Sequence, residues 1–176
     1  MKRAIFFIHL CFSSLFSMEE SDQFLNLINC QQSEKWFEDE NVGDVQKLVE
    51  HVTKNKKERK FPEVVLFYNR FLTRLLQDLS CCKNACPDQI QKSLEKPFAP
   101  IEKESYENFI QKADEKWINE ISLSAISWAE QLNTKNMLPN PNWLGQLQHK
   151  IEFYPEVQWK ALRSQAVEEI KKTFEE

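Results

Sequence analysis

From Ile101 to Leu132 the chain contains neither glycine nor proline, and large apolar residues recur along one side of it in steps of three and four. Tyr106, Phe109, Ile110, Ala113, Trp117, Ile121, Ala125, Trp128 and Leu132 carry the pattern. Sustained 3.6-residue periodicity of this kind predicts a helix of eight or nine turns, roughly 45 Å long. No small neighbour covers a stripe of that length, so other long helices must lie along it. The whole chain holds only two glycines, Gly43 and Gly145, which argues against phosphate-cradling loops and tight hairpins. With 13 Phe and 5 Trp, the expected core is one of rings packed between helices.

The expected fold is therefore all-α: a single up-and-down-like helical bundle of five to seven helices with two long central helices. Asp44 has the chemistry of an N-cap for a helix bearing Val45, Leu48, Val49 and Val52. Pro62, suited to a first helical position, opens the second long helix, with Val64, Val65, Phe67, Tyr68, Phe71, Leu72, Leu75, Leu76 and Leu79 covering about half its circumference. Such a helix should sit centrally, against at least two others. Arg74 and Asp78, four apart at the stripe's edge, read as an exposed pair contributing about 0.3–0.5 kcal/mol. Asn84 is placed in a left-handed turn, with a short helix from Pro87 through Ile90 and Leu94. Trp143, Leu147 and Ile151 predict a helix reaching about Phe153, and Pro155 starts the last one, with Trp159, Leu162, Ala166, Ile170 and Phe174 on one face. The two long helices, near 62–80 and 101–133, are expected to pack antiparallel with the last across them.

Residues 1–17 differ from the rest. Lys2 and Arg3 precede an apolar run from Ala4 to Phe12, and small residues lead to Ser17. This is the pattern of a cleaved secretory signal peptide, too short to span a bilayer, leaving residues 18–176 as one domain. Its removal changes the charge from −4 to −6, so a nucleic-acid partner is not expected.

Beyond the leader stand four cysteines, Cys30, Cys81, Cys82 and Cys86. An even number in an exported chain points to two disulfides, and strain in a vicinal ring favours Cys30 bonded to Cys81 or Cys82, with the remaining one bonded to Cys86. Three thiolates with Cys30, His51 or His149 would be the competing metal set, but the spacing of paired zinc ligands is missing. Lys54 to Lys60 concentrates positive charge, read as a solvated helix end or a patch for phosphate or anionic lipid.

The functional expectation is an exported, disulfide-stabilised binding module without catalysis, cofactor or membrane span, working on a protein partner or an apolar ligand. Its contact loop would be the segment with Met137, Pro139, Pro141 and Trp143. Two alternatives stand beside it. One is a carrier holding a small apolar ligand or lipid along Tyr106, Trp117 and Trp128; the other is a hydrolase or metal-dependent enzyme using carboxylates near His149 and Glu152.

Overall fold

The computed structural model describes residues 44–58, 60–86, 89–90, 111, 113, 115–148 and 150–175. The leader, Cys30, Tyr106, His149 and most of the Pro87–Leu94 segment lie outside the described residues. The described chain is all-α. Helices α1 (Val45–Lys57), α2 (Phe61–Ser80), α3 (Glu115–Thr134) and α4 (Glu156–Glu175) surround a common core, with a 3₁₀ segment, Pro141–Gln146, between the last two.

Local chemistry accounts for the boundaries. Asp44 caps α1, its Oδ1 accepting from the Gln46 amide at 2.7 Å. The short link to α2 is closed by the Lys60 amide donating to the Asn55 carbonyl at 2.9 Å, and Pro62 lies in the first turn of α2, where a missing donor is harmless. Helix α2 contacts α1, α3 and α4 and is the centre of the bundle. Val64, Val65, Leu66, Phe67, Phe71 and Leu75 are buried along it, which matches the breadth of its apolar stripe.

Helix directions correct the sequence reading. Ser122 donates to Asn69 at 3.5 Å and Gln77 donates to the Ala129 carbonyl at 3.2 Å, so α2 and α3 ascend together and run parallel. Helix α4 runs against both. Arg163 meets Asp78, Asn133 of α3 donates to the Lys160 carbonyl at 3.0 Å and to Ser164 Oγ at 2.8 Å, and Lys171 pairs with Glu130. The order is up, down, down, up, with α3 starting at the end of the bundle where α2 starts. A short turn would have forced an antiparallel pair.

Two further expectations change. Of the long stripe, residues 101–110 lie outside the described residues; Ala113 sits in a bend and is 1% exposed, and the described helix starts only at Glu115. The segment after Trp143 is not an α-helix to Phe153. It takes one 3₁₀ turn, passes through left-handed backbone at Lys150 (φ 57°), and forms an isolated antiparallel bridge between Phe153 and Cys82. Lys83 N donates to the Glu152 carbonyl and Tyr154 N to the Cys81 carbonyl, both at 2.8 Å. Asn84 is not left-handed; its side chain donates to the Lys150 carbonyl at 2.8 Å and accepts from the Glu152 amide at 2.9 Å. Those bonds satisfy backbone groups that a helix would have used internally.

Candidate functional site

The last turns of α2 present Arg74, Gln77, Asp78 and Cys81 at helical spacing on one face, and all four are buried. Asp78 is the hub. Its Oδ1 lies 2.7 Å from Arg74 Nη1 and accepts from Arg163 Nη2 at 2.7 Å and Arg163 Nε at 3.0 Å, while Oδ2 accepts from Trp143 Nε1 at 2.6 Å. Both arginines also donate to the Pro139 carbonyl at 2.9 Å. The expected exposed Arg74–Asp78 pair is thus a sealed one, with both side chains 0% exposed. An ion pair contributes little at the surface; here desolvation and completeness of bonding decide its worth.

Burial pushes the Asp78 carboxyl upward, and the charges of Arg74 and Arg163 with the Trp143 bond pull it back. Burial brings Arg74 down to about 10, opposed mainly by Asp78, so it stays charged at neutral pH. Every Asp78 oxygen is engaged within the protein and neither meets solvent, so its chemistry is that of a lock between elements.

The lock organises the segment from Met137 to Trp143. Met137 and Trp143 are half-buried against the core, Pro141 is buried, and only Pro139 is exposed, its carbonyl turned inward. Trp143 also packs against Phe71 with ring centroids 6.2 Å apart. The outward surface is made instead by Asn136, Pro139, Asn140, Asn142, Gly145 and Gln146. Asn136 has φ 56°, and its Oδ1 accepts from Lys160 Nζ at 2.9 Å; Asn140 Oδ1 accepts from the Asn142 amide at 3.0 Å. Among the described residues left-handed backbone falls on Asn136 and Lys150, the former among the residue types that tolerate it best.

A second stitched region adjoins the loop. Gln148 accepts from the Cys86 amide at 2.7 Å and donates to the Asn84 carbonyl at 2.9 Å. Among the described residues Cys81, Cys82 and Cys86 are not joined to one another by a disulfide, so the expected bond of Cys81 or Cys82 to Cys86 is not formed. Cys81 is buried with Sγ 3.6 Å from the Gln77 carbonyl, and burial raises its pKa. Burial, with smaller contributions from Cys81 and Asp78, pushes the Cys82 thiol up to about 12.

Of the aromatic stripe, Tyr106 lies outside the described residues and the other two rings differ in setting. Trp128 is buried with the Arg70 guanidinium 5.4 Å from its ring centre, and that guanidinium also lies 5.7 Å from Phe67; Trp117 is half-buried. Between Asn69, Leu72, Ser122, Ile126 and Ile170 there is a hollow of about 10 Å³. An open groove of about 390 Å³ runs along Gln131, Asn133, Lys135, Ser164 and Glu168, with mixed polar and apolar lining. His51 is exposed and stacks on Phe67 at 4.6 Å. Among the described residues no three His, Cys, Asp or Glu side chains converge as metal ligands, and no helix is long and apolar enough to cross a membrane.

The Asp78 lock escaped the sequence reading, and the signal that carried it was Arg163. It stands in the apolar stripe of the last helix, four residues after Trp159 and four before Val167. A charge at a core position of a helix requires a buried partner. Comparison of the chain with family models, curated proteins and solved structures gives no match to any of the three.

Proposed function

We propose that this protein is an exported, non-catalytic binding module whose contact surface is the outward side of the Asn136–Gln146 loop. The observation that supports the reading is the buried Asp78 lock, which fixes that loop to α2 and α4 through Trp143 and the Pro139 carbonyl. Loops held rigidly between helices lose little conformational entropy on binding. The exposed carboxamides of Asn140, Asn142 and Gln146 offer donors and acceptors without net charge, which suits a protein surface. Export rests on the residue 1–17 pattern, and pairing of Cys30 into the Cys81–Cys86 cluster is the accompanying proposal for an oxidising compartment.

The test is site-specific photo-crosslinking in the producing organism, with the probe placed at Asn140, Asn142 or, as control, Glu169 on exposed α4. A discrete protein adduct from both loop sites and not from Glu169 is the expected result. Equal labelling from all three positions would refute the loop as the contact. Substrate turnover lost on changing His51 or His149 would refute the non-catalytic reading.

A further inference from the structure

We infer that the groove between the last turns of α3 and the middle of α4 is a binding site for a short, uncharged oligosaccharide, a role independent of the Asn136–Gln146 loop. The groove has a volume of about 390 Å³, within the range of small-ligand sites, and lies between helices, where bundles commonly hold ligands. Lys160 and Lys171 mark its two ends, about 16 Å apart along the axis of α4.

Charge does not select an ion. Lys171 pairs with Glu130 and stands 3.8 Å from Glu168, and Lys160 Nζ donates to Asn136 Oδ1 at 2.9 Å and to the Thr134 carbonyl at 3.3 Å. With Lys135 on the rim these five side chains sum to +1, and the carbonyl end of α3, with no basic residue in its last turn, offsets about half of that. A charged ligand would have to displace bonds the protein already makes. An oily one finds little to cover, because Val167, 1% exposed, is the one apolar side chain among the described lining residues.

The groups left for a ligand are uncharged. Asn133 gives its NH₂ to the Lys160 carbonyl at 3.0 Å and to Ser164 Oγ at 2.8 Å, so Ser164 receives a bond and keeps its own proton to donate. Thr134 Oγ1 makes no hydrogen bond among the described residues, and the Gln131 amide makes a long one, 3.5 Å, to Ser127 Oγ. A carboxamide and two hydroxyls each donate and accept, and Glu168, with its side chain 62% exposed, adds an acceptor. The neighbouring hydroxyls of a sugar ring are matched by groups that do both, and its C–H face needs only a small apolar floor, which Val167 supplies.

The full chain, isotope-labelled and followed by amide NMR, is titrated with maltotriose, cellotriose, chitotriose and mannotriose, and with trilysine, triglutamate and triglycine for comparison. The expected result is saturable movement of the Gln131 side-chain amide and of the Thr134 and Ser164 backbone amides with at least one sugar, at a Kd of about 1 mM or below. Each hydrogen bond lost weakens such binding about fivefold, so Q131M/T134V should weaken it about 25-fold. E169Q, on the far side of α4 from Val167, should leave it in place. The inference is overturned if no sugar of the panel gives saturable shifts, if the shifts fall outside the groove, if Q131M/T134V binds as the unchanged chain does, or if a tripeptide binds the groove more tightly than every sugar. Crosslinking from the Asn136–Gln146 loop reads a different surface, so either result can stand without the other.

Discussion

Replacing Asp78 by Asn keeps the shape of the side chain and removes the only carboxylate in a cluster with two guanidiniums. The amide must then turn its NH₂ toward either the arginines or the Trp143 N–H, so a donor faces a donor at 2.6–3.0 Å. Removing one partner of a buried ion pair costs about 3–5 kcal/mol, and weakening a charge-assisted bond such as that from Trp143 adds to it. About 4 kcal/mol, at roughly 3 °C per kcal/mol for a domain of this size, lowers Tm by about 12 °C. Arg163→Met makes the comparison decisive. It leaves Arg74 and Asp78 as a one-to-one pair with Arg74 still donating to the Pro139 carbonyl, so its cost should be about half. Thermal and urea unfolding of both variants, with m-values checked for constancy, measures the order. A loss under about 3 °C for Asp78→Asn, or a greater loss for Arg163→Met, would refute the claim that the carboxylate is the hub.

Three further outcomes follow from other parts of the molecule. Under reducing native conditions at pH 8, iodoacetamide should leave Cys81 and Cys82 unmodified, because burial raises both thiols, Cys82 to about 12; labelling within minutes would refute this, and an oxidised denatured sample, analysed by intact mass, counts any bonds to Cys30. His51 has its pKa lowered, first by burial and then by Lys54, so the unfolded chain binds more protons between the folded value and about 6.5. Stability should fall slightly as pH drops through that window, and the difference should vanish in His51→Gln; urea midpoints between about pH 7 and 5 that move identically in both proteins would contradict it. Lys150→Gly relieves left-handed backbone and should raise stability by about 0.5–1 kcal/mol in urea titrations, whereas a loss would show that the Lys150 side chain contributes more than its backbone costs.

What could be read in the sequence was what local chemistry decides. The Asp44 cap, the start of α2 near Pro62 and the breadth of its apolar stripe all depend on neighbours within a few residues. The parallel course of α2 and α3 depends on the path of residues 81–114, which periodicity does not encode. Trp143, Leu147 and Ile151 keep helical spacing, yet Asn84 and Cys81 take their backbone partners from a distant part of the chain. The edge pair Arg74–Asp78 looked exposed because its third member lies 85 residues from Asp78. For the candidate surface, the proline- and asparagine-rich composition marked a loop between helices, but it does not show which side chains turn inward: Pro141 is buried and Trp143 bonds to Asp78, while exposed amides make the outward face.

The lock also bears on the order in which the molecule assembles. Helices α1 and α2 form a local hairpin whose closure needs only the short link at residues 58–60, while Asp78 waits for Trp143 and Arg163, 65 and 85 residues downstream. Long-range closure costs the most chain entropy and generally comes late. Until α4 emerges and docks, the growing chain carries two charged groups of α2 that have water instead of Arg163 and Trp143 around them. The end of the bundle that bears the exposed amides is therefore the last to be completed, and the segment anchored by Trp143 and the Pro139 carbonyl is fixed only once synthesis has reached the final helix.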